Sequence, residues 1–179
     1  MSQECLYSGR IVGLERHEVE LADGRRSVRE VVRHGPAVAV VAERPDGRFA
    51  LVRQFRKPLE CAVLEIVAGN CEPGETLEEN AVREVREETG YEAVSIRRLG
   101  AVYPSPGYVD ERIEIFRAEL SAQPVGIDPD EDEEVELLFV TREELLALID
   151  SEAIQDAKTL AAWLLFERDC ARVARGEAL

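Results

Sequence analysis

The sequence lacks several features that mark common classes of protein. It has no run of about 18 apolar residues, so we expect no transmembrane helix. Its start has no basic segment followed by an apolar run, so we expect no secretory signal peptide. The four cysteines show no C-x-x-C spacing and no histidine beside them, which argues against a zinc site and favours free thiols. These absences predict a cytoplasmic protein without a membrane partner.

Positive charge and histidine are also scarce. The chain carries 22 basic against 37 acidic residues, for a net charge of -15. Because proteins that bind nucleic acids need a cationic surface, we expect no nucleic-acid partner. An anionic substrate would need a cation to mediate its binding. Histidine, the usual general base, occurs only as His17 and His34, so a carboxylate is the stronger candidate for that role.

The residues that are present predict a mixed β-sheet covered by helices. With 179 residues, of which 45% are hydrophobic, one domain can bury a core. Turn signals at residues 23–24 and 45–47 predict two hairpins. The uninterrupted apolar run at residues 37–41 predicts a strand that is buried on both faces. Further strands are predicted at residues 62–67, 93–103, 112–120 and 135–140.

Two helices are predicted near the C-terminus. Thr141 and Glu144 form a T-x-x-E capping box, which predicts a helix that ends at about Ile149. Another helix is predicted from about residue 154 to residue 173, because apolar residues recur there at helical spacing. That spacing assigns its apolar face to residues 157, 160, 161, 164 and 165.

The segment at residues 69–91, GNCEPGETLEENAVREVREETGY, concentrates seven glutamates. Thr76 and Glu79 form a second capping box, and Gly90 suits the left-handed residue that follows a helix. The segment therefore predicts a helix from residue 77 to residue 89.

Three glutamates of this helix, Glu84, Glu87 and Glu88, share one face because they are three and four residues apart. Like charges at these spacings cost roughly 0.2–0.5 kcal/mol per pair, and the C-terminal half of a helix disfavours anions. A hard divalent cation would turn this repulsion into binding, and ligands that are all oxygen suit Mg²⁺ or Mn²⁺. A solvated acidic face is the alternative interpretation.

The same segment resembles the Nudix box, and the chain is identified by it as a member of the Nudix hydrolase family. The matching residues, in the order and spacing of the box, are Gly69, Glu75, Arg83, Glu84, Val85, Glu87, Glu88 and Gly90. Only Tyr91 departs from the pattern, at a packing position that is usually aliphatic. The resemblance implies hydrolysis of a nucleoside diphosphate that is linked to another group, with Mg²⁺ or Mn²⁺ on the box helix.

For the fold, the resemblance implies a Nudix-type α/β/α sandwich, in the α+β or α/β class, built on a mixed β-sheet. It also implies a small N-terminal antiparallel β-sheet region. We expect this N-terminal β-hairpin region to span residues 1–35 and to pair two subunits into a homodimer. The Nudix hydrolase domain is expected at residues 36–179.

The resemblance also implies roles for single residues. Glu84 and Glu88 resemble the principal metal ligands, and the backbone carbonyl of Ala68 resembles a further one. Glu87 resembles a residue that assists both at the metal and in catalysis. The residues that resemble structural support for the site are Gly69, Glu75, Arg83 and Gly90.

An acidic segment before the last predicted strand resembles the source of the general base. In DPDEDEEVE, residues 128–136, seven of nine residues are acidic. Its likeness to the ADP-ribose pyrophosphatase branch of the family points to Glu131 as the base and Glu133 as a metal ligand. Glu134 is the alternative, one position away. On composition alone the segment is typical of a solvated loop.

The substrate is implied by motifs outside the box. Pro106 lies fifteen residues beyond Tyr91, a spacing that resembles the ADP-ribose pyrophosphatase branch, and LVRQFR, LEIVAG and DAKTLAAWLL resemble it too. The implied reaction splits ADP-ribose into AMP and ribose 5-phosphate. One alternative is hydrolysis of another nucleoside diphosphate sugar, such as GDP-mannose. Another is a non-catalytic Nudix module that only binds a nucleotide, which the intact box argues against.

Four residues resemble substrate-binding positions of that branch. Arg56 resembles a phosphate-binding arginine, although a surface strand residue is the alternative. Arg29 resembles a residue near the nucleotide, which would act across the dimer. Ser105 and Glu111 belong to the SPGYVDE loop, where Glu111 resembles a residue at the terminal ribose and is otherwise an ordinary loop acid.

Overall fold

The computed structural model describes residues 2–126 and 135–177. Within these ranges the strands are β1 (Gln3–Ser8), β2 (Val12–Glu20), β3 (Arg26–His34), β4 (Ala37–Glu43), β5 (Phe49–Arg56), β6 (Cys61–Glu65), β7 (Val67–Asn70), β8 (Ala93–Val102), β9 (Ile113–Leu120) and β10 (Val135–Val140). The helices there are α1 (Leu77–Thr89), α2 (Arg142–Asp150) and α3 (Ala157–Ala174). In this part of the chain, no helix is both long and apolar enough to cross a membrane.

The larger sheet is mixed, as the sequence predicts. Its main path runs in the order β10-β5-β4-β9-β8, while β6 pairs with β5 and β7 pairs with β4. Strands β4 and β9 are parallel, and the other pairs of this sheet are antiparallel. Helix α1 packs on one face and α3 on the opposite face. The predicted α/β/α sandwich is therefore confirmed.

Strand β4 separates the two halves of the core. Ala39 belongs to the hydrophobic cluster that includes Trp163 of α3. Its neighbour Val40 belongs to the cluster on the other face, which includes Val85 of α1. Successive side chains of a strand point to opposite faces, so a strand covered by helices on both sides must be apolar throughout. The apolar run at residues 37–41 is uninterrupted because β4 is covered on both faces.

The strand predicted at residues 62–67 is in fact two strands with different partners, β6 and β7. Ile66 lies between them and donates its backbone N–H to Thr159 Oγ1 of α3 at 3.0 Å. The break therefore depends on a residue far along the chain, which a local apolar pattern cannot reveal. The hydrogen bond between Ile66 and Thr159 anchors the first turn of α3 to the sheet.

The predicted helix starts are confirmed at both capping boxes, and α1 has the predicted bounds. Helix α3 begins later than predicted, at Ala157 rather than near residue 154. The reason is its N-cap, Asp156, whose carboxylate accepts the backbone N–H of Thr159 at 2.9 Å.

The predicted apolar face of α3 is largely wrong, although Leu165, one of its predicted residues, is partly buried and packs against the core. Its buried hydrophobic residues are Ala162, Trp163 and Phe166, whereas Leu164 is 70% exposed. Trp163 and Phe166 both make edge-to-face contacts with Phe49 of β5, at ring-centroid distances of 5.0 and 5.3 Å. Aromatic packing against the sheet thus favours a different rotation of the helix from the one that apolar spacing predicts.

Strands β1, β2 and β3 form a separate antiparallel sheet at the N-terminus. The hairpin of β2 and β3 was predicted, but β1 was not, because it is exposed along its length and shows no alternation of buried residues. Val32 bridges to Val109, and Arg33 donates to Asp110 at 2.8 Å, which attach this sheet to the loop before β9. None of the residues in these three described strands is buried.

The assignment of the core can be tested with two leucines. Leu51 of β5 is fully buried, whereas Leu164 is largely exposed. We expect Leu51→Ala to lower the free energy of unfolding by about 2–5 kcal/mol, because it leaves a cavity in the core. Leu164→Ala should lower it by less than about 0.5 kcal/mol. Urea unfolding followed by the fluorescence of Trp163, the only tryptophan, measures both, and equal losses would contradict the assignment.

Candidate active site

One cavity, of about 830 Å³, brings together most of the residues that the sequence selects. Its acidic lining residues are Glu72, Glu84, Glu87, Glu88 and Glu111. Its lysine and arginine lining residues are Arg10, Arg56, Arg83 and Lys158. Carboxylates and cations therefore border the same space, which is large enough for a small-molecule ligand.

The box helix contributes two buried carboxylates to this cavity. Glu84 and Glu88 lie one turn apart on α1, and each is 8% exposed. The backbone N–H of Ala68 donates to Glu88 Oε2 at 3.2 Å. At Gly69, a Cβ atom would lie 2.0 Å from the carboxyl group of Glu84. Only glycine allows strand β7 to pass so close to that carboxylate.

Capping interactions fix both ends of α1. Thr76 Oγ1 accepts the backbone N–H of Glu79 at 3.2 Å, and the Glu79 carboxylate accepts the N–H of Thr76 at 2.8 Å. At the other end, Gly90 has a φ of 71° and donates its N–H to the carbonyl of Arg86 at 2.8 Å. Side chains rarely tolerate this left-handed conformation, which is why glycine stands there.

Arg83 connects the loop before α1 to the helix. Its Nε and Nη2 donate to Glu75 at 2.9 and 3.2 Å, and its Nη1 lies 2.7 Å from Glu87 and 2.9 Å from Glu84. Its Nη2 also donates to Oδ1 of the buried Asn80 at 2.6 Å. The hydrogen bonds with Glu75 raise the pKa of Arg83 and hold the pKa of Glu75 below its usual value. The predicted contact between Glu75 and Arg83 is thus present.

The donors on this wall fit a hard divalent cation. Glu84, Glu87, Glu88 and the peptide of Ala68 offer oxygen ligands, which Mg²⁺ and Mn²⁺ prefer. Within the described ranges, no three acidic, thiol or imidazole side chains converge closely enough to enclose an ion by themselves. In this arrangement Arg83 pairs with two of the three carboxylates.

The predicted general base and one predicted ligand lie outside the described residues. Glu131, Glu133 and the alternative Glu134 all belong to residues 127–134, which the structure does not describe. The next residue, Val135, begins β10 and lines the cavity.

The buried carboxylate of Glu65 binds two cations that line another part of the cavity. Arg56 donates to Glu65 through Nε at 2.8 Å and through Nη2 at 2.7 Å, and the Lys158 ammonium also contacts Glu65 Oε2. Burial opposes ionisation of this carboxyl, yet the two cations hold the pKa of Glu65 below its usual value. Arg56 is therefore more than a surface strand residue, because its guanidinium is held by the buried carboxylate of Glu65.

The other predicted substrate residues are only partly brought together. Glu111 lines the cavity, and its carboxylate lies 4.0 Å from Nδ1 of His34, which also lines it. Ser105 lies in the loop between β8 and β9, and Arg29 lies on β3 with an exposed side chain. Neither Ser105 nor Arg29 borders the cavity in the part of the chain that the structure describes.

Residues of this site that the sequence did not indicate include Lys158, Asn80 and Glu65. Lys158 was not selected, although lysine occurs only twice in the chain and this one lies in the DAKTLAAWLL segment. Asn80 and Glu65 gave no signal, because their roles depend on burial and on partners distant in sequence.

Comparison with known proteins gives a family match and several relatives. The NUDIX domain matches residues 33–163. An ADP-ribose pyrophosphatase of Bacillus subtilis is 45% identical over 163 residues, which cover 90% of this chain and 88% of the relative. A methanol dehydrogenase activator of Bacillus methanolicus is 43% identical over 160 residues, which cover 89% and 86%. A GDP-mannose pyrophosphatase of Yersinia enterocolitica is 35% identical over 147 residues, which cover 75% of each chain.

A solved structure shares the fold. The crystal structure of an ADP compounds hydrolase matches with a TM-score of 0.85 and 24% identity, over 99% of this chain and 95% of that chain. Such a likeness shows the fold alone, and it agrees with the α/β/α sandwich. Because the family match spans most of the chain and the relatives are similar over most of their length, the chain belongs to the NUDIX domain family.

Proposed function

We propose that this protein hydrolyses the pyrophosphate bond of ADP-ribose to AMP and ribose 5-phosphate, with the help of a divalent metal. The observation that carries the proposal is a single cavity in which the buried Glu84 and Glu88 accompany Arg56 and Lys158. A diphosphate needs cations along its oxygens, and a metal needs carboxylates. The ADP-ribose pyrophosphatase of Bacillus subtilis supports the choice of substrate.

In this proposal Glu84, Glu88 and the carbonyl of Ala68 hold Mg²⁺ or Mn²⁺, with Glu87 and Glu133 as further ligands. Such an ion neutralises phosphate charge and lowers the pKa of water. The oxygen ligands on this wall, described above, support the choice of a hard cation.

The remaining roles belong to side chains of the chain itself. Arg56 binds a phosphate oxygen, and Arg83 keeps Glu75 and Glu87 in place. Glu131 takes the proton of the attacking water. Support for Glu131 comes from Val135, which lines the cavity and lies only four residues further along the chain.

A second candidate reaction is the hydrolysis of another nucleoside diphosphate sugar. The relative from Yersinia enterocolitica, a GDP-mannose pyrophosphatase, favours it. The carboxylates and cations of the cavity would act on the diphosphate, which both substrates share. A non-catalytic nucleotide-binding module is a weaker candidate, because Glu84, Glu87 and Glu88 are all present and all line the cavity.

We further propose that the protein is a cytoplasmic homodimer that pairs through its N-terminal region, residues 1–35. Large apolar side chains on this region are half exposed or more, among them Tyr7, Ile11 and Val28. A partner subunit would cover them. Arg29 is also exposed on β3, and in this proposal it acts on the nucleotide bound by the partner. All four cysteines are free, which suits a reducing compartment.

The metal assignment is tested by Glu84→Gln and Glu88→Gln, which keep the shape of each side chain but remove its charge. We expect turnover to fall by more than the roughly 10- to 100-fold that is typical of residues that only support a metal ligand. Glu78→Gln, at an exposed position of the same helix, should keep wild-type turnover. AMP release measures turnover, and circular dichroism checks the fold. Full activity of both site variants would contradict the assignment.

The substrate assignment is tested by a panel of nucleoside diphosphate sugars with Mg²⁺. We expect kcat/KM to be highest for ADP-ribose, because the motifs around Pro106 and the Bacillus subtilis relative both point to it. GDP-mannose is the essential comparison. A panel in which ADP-ribose is the poorest substrate would refute this assignment and leave the metal site untouched.

The dimer is tested by Val28→Glu, which places a charge on the exposed apolar surface of β3. We expect the variant to be a monomer, since a buried unpaired charge would oppose pairing. Val94→Glu, at a 65% exposed position on β8, is the matched control and should stay a dimer. Light scattering after gel filtration gives both masses, and a monomeric wild type would end the proposal.

A further inference from the structure

Glu65 holds two cations of the cavity wall without lining the cavity itself. It is 2% exposed, and the residues that border the cavity include Arg56 and Lys158 but not Glu65. The guanidinium of Arg56 binds both of its carboxylate oxygens, and the ammonium of Lys158 binds one of them. Glu65 therefore does not contact a ligand in the cavity, whereas the two cations that it binds can do so.

Distant parts of the chain are fixed together to make this contact. Lys158 lies in the first turn of α3, where Thr159 Oγ1 accepts the N–H of Ile66 at 3.0 Å and donates to Asp156 at 2.7 Å. Because Ile66 directly follows Glu65, this buried hydrogen bond holds the start of α3 beside the carboxylate. The backbone of Lys158 is thus fixed by the helix cap.

The end of the Lys158 side chain is fixed by anions. Its ammonium is a hydrated point charge on a flexible stem, so its position depends on its partners. Those partners are Glu65 and Asp156, whose Oδ2 lies 3.1 Å from Nζ. Without Glu65 between them, Arg56 and Lys158 would repel each other and turn toward water.

We propose that Glu65 is a positioning residue, which holds Arg56 and Lys158 as a pair of cations for the diphosphate of the substrate. This inference rests on the proposed function for the class of substrate, a nucleoside diphosphate linked to a sugar. It adds Lys158 as a second phosphate-binding cation beside Arg56.

Positioning and simple electrostatics predict opposite effects for Glu65→Gln. If Glu65 acted only through its charge, its loss would make the wall more positive and strengthen the binding of a polyanion. If Glu65 positions the two cations, the same change weakens binding, because glutamine cannot hold both of them. The direction of the change in KM therefore separates the two.

The experiment compares Glu65→Gln with Glu114→Gln in Mg²⁺-dependent hydrolysis of ADP-ribose. Glu114 is a matched control because it is also buried, 3% exposed, and bound by two cations, Arg98 at 2.7 Å and Arg112. It does not line the cavity. We expect KM to rise about tenfold in Glu65→Gln, as for one lost charge-assisted hydrogen bond, with a smaller change in kcat. Glu114→Gln should keep the wild-type KM.

A second variant covers the case in which Glu65→Gln fails to fold. Lys158→Gln leaves Glu65 paired with Arg56 and should also raise KM. The control is Lys57→Gln, which changes the only other lysine of the chain. Lys57 is exposed, and its substitution should leave KM unchanged. Thermal unfolding of all the variants separates lost stability from lost binding.

The possible outcomes decide the proposal. A KM that is unchanged or lower in Glu65→Gln, or raised equally in Glu114→Gln, would overturn it, as would an unchanged KM in Lys158→Gln. If the wild type does not hydrolyse ADP-ribose, the proposed function fails, but the positioning role of Glu65 can still be tested. Calorimetric titration with ADP and Mg²⁺ then replaces KM. Binding that is weaker in Glu65→Gln but unchanged in Glu114→Gln supports the positioning role. Wild-type binding by Glu65→Gln, or no binding of ADP by the wild type, overturns it.

Discussion

Buried carboxylates that need cations are the constraint on which the rest of this structure depends. The chain has a net charge of -15, and an uncompensated buried charge costs several kcal/mol. Glu65, Glu84, Glu114 and Asp169 are all buried, and each pairs with arginine or lysine. Arginine suits this task because its planar group offers two donors to one carboxylate. These pairs allow a strongly acidic chain to place carboxylates inside a folded domain.

The same constraint gives the cavity two different walls. On the box helix, Arg83 balances several carboxylates at once, so that wall stays rich in oxygen donors. On the wall formed by β5 and α3, the cations Arg56 and Lys158 line the cavity, whereas Glu65, the carboxylate that binds both, does not. One wall therefore suits a metal ion and the other suits phosphate oxygens. A diphosphate bound between them would meet positive charge from both sides.

The parts of this structure that the sequence predicts are those with local causes. Both capping boxes, Gly90 and the spacing of the box glutamates act within one helix, so the bounds of α1 could be predicted. The break at Ile66 and the rotation of α3 could not, because they depend on Thr159 and Phe49, far away in the chain. The residues of the site also differ in whether local sequence or distant contacts indicate them. Its box glutamates were predicted, whereas Lys158 and its partner Glu65 required the tertiary structure.

The box accounts for the reaction better than for the substrate. Its carboxylates, and the cations opposite them, would contact only the diphosphate, which ADP-ribose and GDP-mannose have in common. A choice between these substrates, which differ in nucleobase and in terminal sugar, would then depend on other residues that line the cavity. Arg10 and Ile11 are among them, and they lie outside the matched NUDIX region at residues 33–163. Arg10 and Ile11 lie between β1 and β2, so the N-terminal region would take part in any choice of substrate that this cavity makes.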